Sequence, residues 1–498
     1  MKLRRNRSKN RLLLSICPRP GRPAVALSES REGEQSSLTA SQGNNISMAL
    51  ELHVALASAA LLASPVLASG VGPEVDHEIT GEVADEIRAL RGEIAELRRE
   101  SDAGWLTERR SNEIRGVVND VLADASSRAS LQDSGATAGW NKGFFLASPD
   151  GSFKLKVGGQ VQVRWVLNSA EGKRTAYGFE NRRTKLAFSG NVFDKSWTYK
   201  LKSAFSRSGG LNVLEEAWVQ KKLDNGLAIK VGQFKAPWMR EELVSSSRQL
   251  TVERSIVNEY FNQGYAQGIQ VGYEAEDFRV AAWTGDGIGS RGFGPARTNS
   301  QNTNWDQTST NYSFAARAEF KLSGEWSQFK DFSSARGSDS GMMFGVAGVT
   351  QRANQNIGAA EGTKVYGVTG DFTWDLSGAS LFVSGVWTNV DQPGAQSTNP
   401  WGVTIQGGYF VTETVEAFAR YEYMDYDPPT SSDIARFDGF TVGGNWFINK
   451  SVKFTADFTY NFASLATGAF VASSAGFRID DPGQDGQWAI RAQLQLLF

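Results

Sequence analysis

One cysteine and two histidines in 498 residues leave little room for several kinds of chemistry. Cys17, His53 and His77 all fall in the first 77 positions. The rest of the chain therefore has no disulfide framework, no thiolate nucleophile, no Ser-His-Asp triad and no histidine-based metal ligation. Long apolar runs are missing too: nothing after residue 70 approaches the ~20 apolar residues that a spanning helix needs. Nor is there an excess of basic charge. Residues 1–68 carry nine Lys/Arg and four Glu, a net +5, so residues 69–498 carry −7 of the overall −2. A mildly acidic chain of this kind gains no support as a nucleic-acid binder.

What is present is alternation, and it is clearest at the C-terminus. Trp488, Ile490, Ala492, Leu494, Leu496 and Phe498 occupy one face of a period-two segment, and Ala489, Arg491, Gln493, Gln495 and Leu497 the other. Only a strand separates these sets. An apolar face ending in a terminal aromatic, backed by Arg and Gln, suits a strand between lipid and water. Open sheet edges are not tolerated in a bilayer, so this last strand is expected to close a barrel against the first. The pattern is that of a bacterial outer-membrane strand.

The same pattern runs back to Phe153. Val161, Val163, Trp165 and Leu167 alternate with Gln160, Gln162 and Arg164. Trp197, Tyr199, Leu201 and Phe205 alternate with Lys200 and Lys202. Phe314, Ala316, Ala318, Phe320 and Leu322 alternate with Arg317, Glu319 and Lys321, and similar segments carry Glu416, Arg420, Glu422, Lys453 and Asp457. The strands are longer than the ~5–6 residues usual in soluble sheets and match the ~9–11 of membrane strands. Trp165, Trp197, Trp283, Trp374, Trp387 and Trp446 recur near their ends, as an interfacial girdle requires. The fold expected is all-β: a transmembrane antiparallel β-barrel of about sixteen strands over residues 150–498, wide enough to leave an aqueous channel. The period is muddled near 211–224, around Trp218, and weak near 341–350, so fourteen or eighteen strands stay open.

Upstream, residues 48–68 end an apolar run in Val66-Leu67-Ala68, which fits a signal peptide cleaved before Ser69. Residues 1–47, Cys17 among them, are then an extended leader or follow a start codon chosen too early. A buried helix over 52–68 is the other reading. Val83, Ile87, Leu90, Ile94 and Leu97 are spaced four, three, four, three within residues 74–101. Glu86, Glu93 and Glu100 fall at g and Arg91 and Arg98 at e, the pattern of a short parallel coiled coil in the periplasm. Ile at a with Leu at d leans toward dimers, in tension with a trimeric barrel. A single amphipathic helix packed on its own barrel is the alternative. Residues 102–143 read as a second amphipathic stretch followed by an Ala-, Ser-, Gly- and Asp-rich linker.

Residues 236–266 break the strand rhythm for ~30 residues, and long irregular loops in compact domains are usually functional. Folded into the lumen, this loop would offer Arg240, Arg248 and Arg254, tempered by Glu241, Glu242, Glu253 and Glu259. Laid over the rim, it would offer none of them to the passage. Gly287-Ile-Gly289-Ser-Arg-Gly292 matches GxGxxG, but an Asn/Thr/Ser-rich loop follows rather than a helix, so the dinucleotide reading fails its own test. Asp480-Asp481-Pro482-Gly483 lacks the rest of a calcium loop.

The run Asn181-Arg182-Arg183-Thr184-Lys185-Leu186-Ala187-Phe188-Ser189-Gly190 resembles the basic strand motif of the phosphate-selective porin O and P family. Val231-Gly232-Gln233-Phe234-Lys235-Ala236-Pro237, with Glu241-Glu242-Leu243 and Glu253-Arg254-Ser255, is similar to that family's strand and constriction loop. The resemblance covers roughly 150–498. It implies a sixteen-stranded homotrimeric channel in outer-membrane lipid, with an inward-folded third loop and basic residues guiding small anions such as phosphate. The residues expected to line the pore are Arg182, Arg183, Lys185, Lys200, Lys202, Arg240, Arg248, Arg254, Arg317 and Lys321, with no cofactor and no metal. Phosphate suits bidentate Arg and point-charge Lys alike. Three other readings remain: a general non-selective porin, a barrel tied to peptidoglycan by the coiled coil, and a barrel enzyme using carboxylates.

Overall fold

The computed structural model describes residues 89–96, 116, 135–141, 143–298, 300–427, 436–463, 475–478 and 486–498. The chain divides into two units, 1–106 and 107–498. In the first, residues 89–96 form a helix, α1, whose Leu90 and Ile94 are both exposed. The leader, the signal peptide, the rest of the coiled coil and Asp480–Gly483 lie outside the described residues.

The second unit is built from eighteen strands. A hairpin of β1 (Thr137–Trp140) and β2 (Phe144–Ala147) comes first. Residues 137–140, read above as linker, are thus already part of the sheet, where β2 adds to the first residues of β3. Sixteen long strands follow: β3 (Lys154–Ser169), β4 (Ala176–Val192), β5 (Asp194–Phe205), β6 (Asn212–Lys222), β7 (Leu227–Phe234), β8 (Ala266–Glu274), β9 (Phe278–Gly285) and β10 (Thr310–Ser323). The ring continues with β11 (Gly341–Ala353), β12 (Lys364–Asp375), β13 (Ala379–Asp391), β14 (Trp401–Phe410), β15 (Val415–Asp425), β16 (Arg436–Phe447), β17 (Val452–Asn461) and β18 (Trp488–Leu497). Each pairs antiparallel with the next, and β18 pairs with β3 from Trp488 opposite Ser169 to Leu497 opposite Gln160. The sixteen long strands close on themselves, so every one of them is paired on both sides, as a strand in lipid requires. Phe498 completes the seam: it exchanges two backbone hydrogen bonds with Gly159, of 2.7 and 3.2 Å. Its ring occupies the space where a Cβ on that glycine would stand.

Alternation assigns the faces as expected. Along β18, Ile490, Leu494 and Leu496 are exposed outward while Arg491, Gln493 and Gln495 are buried inside. Trp197, Trp387 and Trp446 are exposed on the outer surface. Trp283 is the exception to the girdle. It shares the inner face of β9 with Arg279 and is buried at 2%, because the strand's period sends both side chains toward the lumen.

The interior is partly filled. The connection between β7 and β8, the third at the end that carries the long loops, folds into the lumen and contains helices α2 (Arg240–Leu243) and α3 (Ile256–Phe261). Trp238, Met239, Ile256, Val257 and Phe261 pack with Ile288, Phe293 and Ala296 of the β9–β10 connection and with Val349, Val365, Val386 and Val390 of the wall. Val244 and Leu250 join Phe332, Phe382 and Phe418. The third loop is thereby backed against the β11–β15 side. The GxGxxG segment lies in the β9–β10 connection, which carries a 3-10 helix over Arg291–Ala296. A second inward segment was not foreseen. The β10–β11 turn, at the opposite end, rises to place Phe329 carbonyl against Arg240 and Phe332 N–H on Arg248 carbonyl at 3.3 Å. Among the described residues no helix is long and apolar enough to cross a membrane.

Candidate functional site: the basic wall facing the third loop

With the loop packed on one side, open space remains along β4–β7. A cavity of about 420 Å³ there is lined by eight cationic side chains (Arg182, Arg183, Lys185, Lys200, Lys202, Lys230, Lys235, Arg254) and four carboxylates (Glu215, Glu216, Glu242, Glu259). Tyr265, Asn262, Ser245 and Ser246 complete it.

Two irregularities in the wall create this density of charge. Gln162 of β3 stands opposite Arg183, but Val163 stands opposite Asn181, which leaves Arg182 as an extra residue in β4. Lys202 of β5 stands opposite Glu216, but Ser203 stands opposite Leu214, which leaves Glu215 extra in β6. A β-bulge lets two consecutive side chains aim the same way, so Arg182 and Arg183, and Glu215 and Glu216, all reach the lumen side. The muddled period near Trp218 is the trace of the second bulge. Gln233 secures it, donating from its amide to the carbonyls of Leu214 at 2.6 Å and Glu215 at 3.2 Å. Gly232 beside it has φ of +131°, and a Cβ there would lie 2.2 Å from the Ala217 carbonyl oxygen. Only glycine fits such a position.

The charges are interleaved. Lys185 meets Glu215 at 2.6 Å, Lys202 meets Glu215 at 3.0 Å and Glu216 at 3.5 Å, and Lys200 meets Glu216 at 2.9 Å. Tyr265 hydroxyl donates to Glu215 at 2.9 Å. Lys230 has no ion pair among the described residues. Its ammonium sits 4.6 Å from the Trp218 ring centre and 4.1 Å from that of Phe234, a cation–π arrangement. On the loop, Arg254 and Lys235 both pair with Glu242. Burial alone would raise the Glu242 carboxyl, but these two cations outweigh it and hold it at about 2. Burial raises Glu259, with Glu242 and Glu253 adding repulsion that Arg182 and Arg254 do not cancel.

Of the ten residues singled out in the sequence, the structure gathers Arg182, Arg183, Lys185, Lys200, Lys202 and Arg254 around this cavity. Arg317 lines a neighbouring space of about 450 Å³ that shares Lys230, Lys235 and Leu243 with it. Arg317 is bound there to Glu319 at 3.0 Å and Asp371 at 2.8 Å. Arg240 and Arg248 line a third space nearer the β10–β11 turn, with Arg240 on Glu319 and Arg248 on Asp331. Lys321, on β10, lies 4.0 Å from Asp277 and over the Trp326 ring, and lines none of the three spaces. Sequence reasoning missed Lys230 and Lys235. Lys230 was within reach of it, since alternation places Lys230 on the face of β7 opposite Ile229 and Val231.

Because Glu259 binds its proton at a higher pH than an ordinary carboxyl, acidification removes one negative charge from the cavity. Anion preference is expected to rise as pH falls from neutrality toward the usual carboxylate range. Glu259→Gln should flatten that part of the response, and reversal potentials under a fixed salt gradient at stepped pH measure it.

Residues 154–467 match the family of phosphate-selective porins O and P. Among curated proteins none matches the sequence. Similar solved structures include the anion-selective porin from Comamonas acidovorans, 12% identical, with 69% of this chain and 99% of that one covered and a TM-score of 0.48. OmpT of Vibrio cholerae is 13% identical, with 70% and 98% covered and a TM-score of 0.46. OprB of Pseudomonas putida is 10% identical, with 69% and 94% covered and a TM-score of 0.45. Identities this low carry no residue-by-residue correspondence.

Proposed function

The chain belongs to the phosphate-selective porin O and P family, and from that membership we propose that its lumen passes small hydrophilic solutes with a preference for anions, phosphate among them. It is an outer-membrane porin, and the fixed charges of the passage decide what goes through. The supporting observation is the cavity beside β4–β7, where eight cations face four carboxylates. In a narrow, low-dielectric lumen such an excess concentrates anions. Lysines set at intervals hand an anion from one ammonium to the next, each contact weak enough to release it. Lys230 is the cation best able to meet a solute, since aromatic faces rather than a carboxylate hold it.

A second reading has its own support. Every arginine at the cavity is engaged with a carboxylate, which favours a general porin with a transverse field over a dedicated phosphate site. Single-channel recording of residues 69–498 under a KCl gradient, followed by phosphate titration, separates the two. A reversal potential set by chloride, with phosphate blocking the chloride current, supports anion passage with a phosphate site. Stable channels without ion preference leave the general porin. Folded protein that opens no channels removes both. The exposed Leu90 and Ile94 of α1, together with the heptad spacing around them, support self-association through this segment, while its Ile at a and Leu at d favour two strands, so the homotrimer is drawn from the barrel and not from this helix.

A further inference from the structure

One carboxylate of the third loop gathers three guanidiniums. Glu253 is buried, and Arg164 reaches it from β3 at 2.7 Å. Arg182 reaches it from β4 through Nε at 2.7 Å and Nη2 at 3.0 Å. Arg183 does so through Nη2 at 2.7 Å and Nη1 at 3.3 Å. Ordinary alternation would send one of two neighbouring arginines outward, and the bulge in β4 brings both in. The backbone on either side of Glu253 is tied to β15 and β17, strands on the other side of the β18–β3 seam. Arg420 donates to the Glu253 carbonyl at 2.9 Å, and Asp457 accepts from Val252 N–H at 3.0 Å. Asp457 is itself held by Arg491 in a two-pronged pair of 2.7 and 2.8 Å. Burial would raise the Glu253 carboxyl, but the three arginines hold it well below the usual range.

This geometry has two consequences. A buried, fully hydrogen-bonded charge group has one arrangement and is costly to break, so Glu253 fixes where the loop crosses the lumen. Arg182 and Arg183 also border the cavity with their donor edges turned toward Glu253, so a passing anion must compete with a carboxylate already in place.

We propose that Glu253 is the positioning residue that sets both the seat of the constriction loop and the strength of the anion field, by withholding the arginine trio from the passage and leaving Lys230, held by aromatic faces, as the cation freest to meet the solute. The inference rests on the reading of the lumen as a conducting pore, but not on which ion the wild-type pore prefers.

The test is Glu253→Gln in the whole chain, recorded in planar bilayers under a KCl gradient beside wild type. The amide keeps the shape and removes the charge that binds the trio. The anion-to-cation permeability ratio should rise roughly threefold, and open-channel noise should grow as the loop loosens. Adding Arg183→Gln to Glu253→Gln should return the ratio toward wild type while the noise persists. A merely structural carboxylate would change noise without moving the ratio. Folded Glu253→Gln channels with a wild-type ratio and quiet current would overturn the proposal. Should that variant not assemble, Glu253→Asp keeps the charge but draws it back by one methylene. It should show added noise at an unchanged ratio, and a channel indistinguishable from wild type would sink the idea. A wild-type pore without anion preference would remove the proposed function yet leave this comparison intact.

Discussion

Replacing Lys185, Lys200 and Lys202 together with glutamate is expected to reverse the sign of the pore's ion preference. The cavity beside β4–β7 has eight cations and four carboxylates, and the triple exchange leaves five cations against seven carboxylates. The reversal potential under a KCl gradient should cross zero, with a change in permeability ratio on the order of tenfold or more. The corresponding triple glutamine leaves five cations against four carboxylates and should be nearly non-selective. Glu215 and Glu216 lose their lysine partners in both variants. Glu215 is buried, so both variants also lose stability, and a denaturant midpoint measured beside the recordings separates that loss from the change in selectivity. A triple-glutamate barrel that folds and still prefers chloride would place the selecting charges elsewhere in the lumen.

Gly232→Ala should damage the barrel itself. The residue has φ of +131°, where an L side chain is strained, and the added Cβ would lie 2.2 Å from Ala217 carbonyl oxygen and 2.8 Å from Trp218 Cα. Both contacts are with the backbone of β6 at its bulge, so neither can swing aside. Strain of this kind together with a lost strand pairing reaches about 4 kcal/mol or more. The expected result is loss of the compact, heat-modifiable form on gel electrophoresis and a lower denaturant midpoint. Gly348→Ala is the matched control, because the nearest atom to its would-be Cβ is 3.9 Å away. A Gly232→Ala barrel as stable as that control would mean that β6 and β7 can part without consequence, and with them the bulge that carries Glu215.

Closure, the inner and outer faces and an approximate strand number were legible in the sequence because each follows from a period of two. Lipid on one side and water on the other force that period on every strand, so Ile490 and Arg491 could be placed without a neighbour in view. Trp283 shows the limit of reading residue type alone. An aromatic near a strand end suggests an interface, but its parity with Arg279 puts it inside. The third loop was legible as an interruption, and its acidic and basic residues were visible, but their partners were not. Glu253 lies 89 positions from Arg164 in the chain and 70 from Arg183, and nothing local announces that they meet.

By itself, then, the sequence determined that this chain is a membrane barrel with a charged lumen interrupted by one long loop, because hydrophobic alternation is a local property of each strand. Only the tertiary structure decided which charges face the passage. A bulge depends on a register mismatch between two strands, and no single strand contains that information. The loop's seat depends on ion pairs between segments far apart in the chain. Those two facts bring Arg182 and Arg183, read in the sequence as pore-lining residues, onto Glu253 of the third loop, and pair the lysines of β4 and β5 with Glu215 and Glu216.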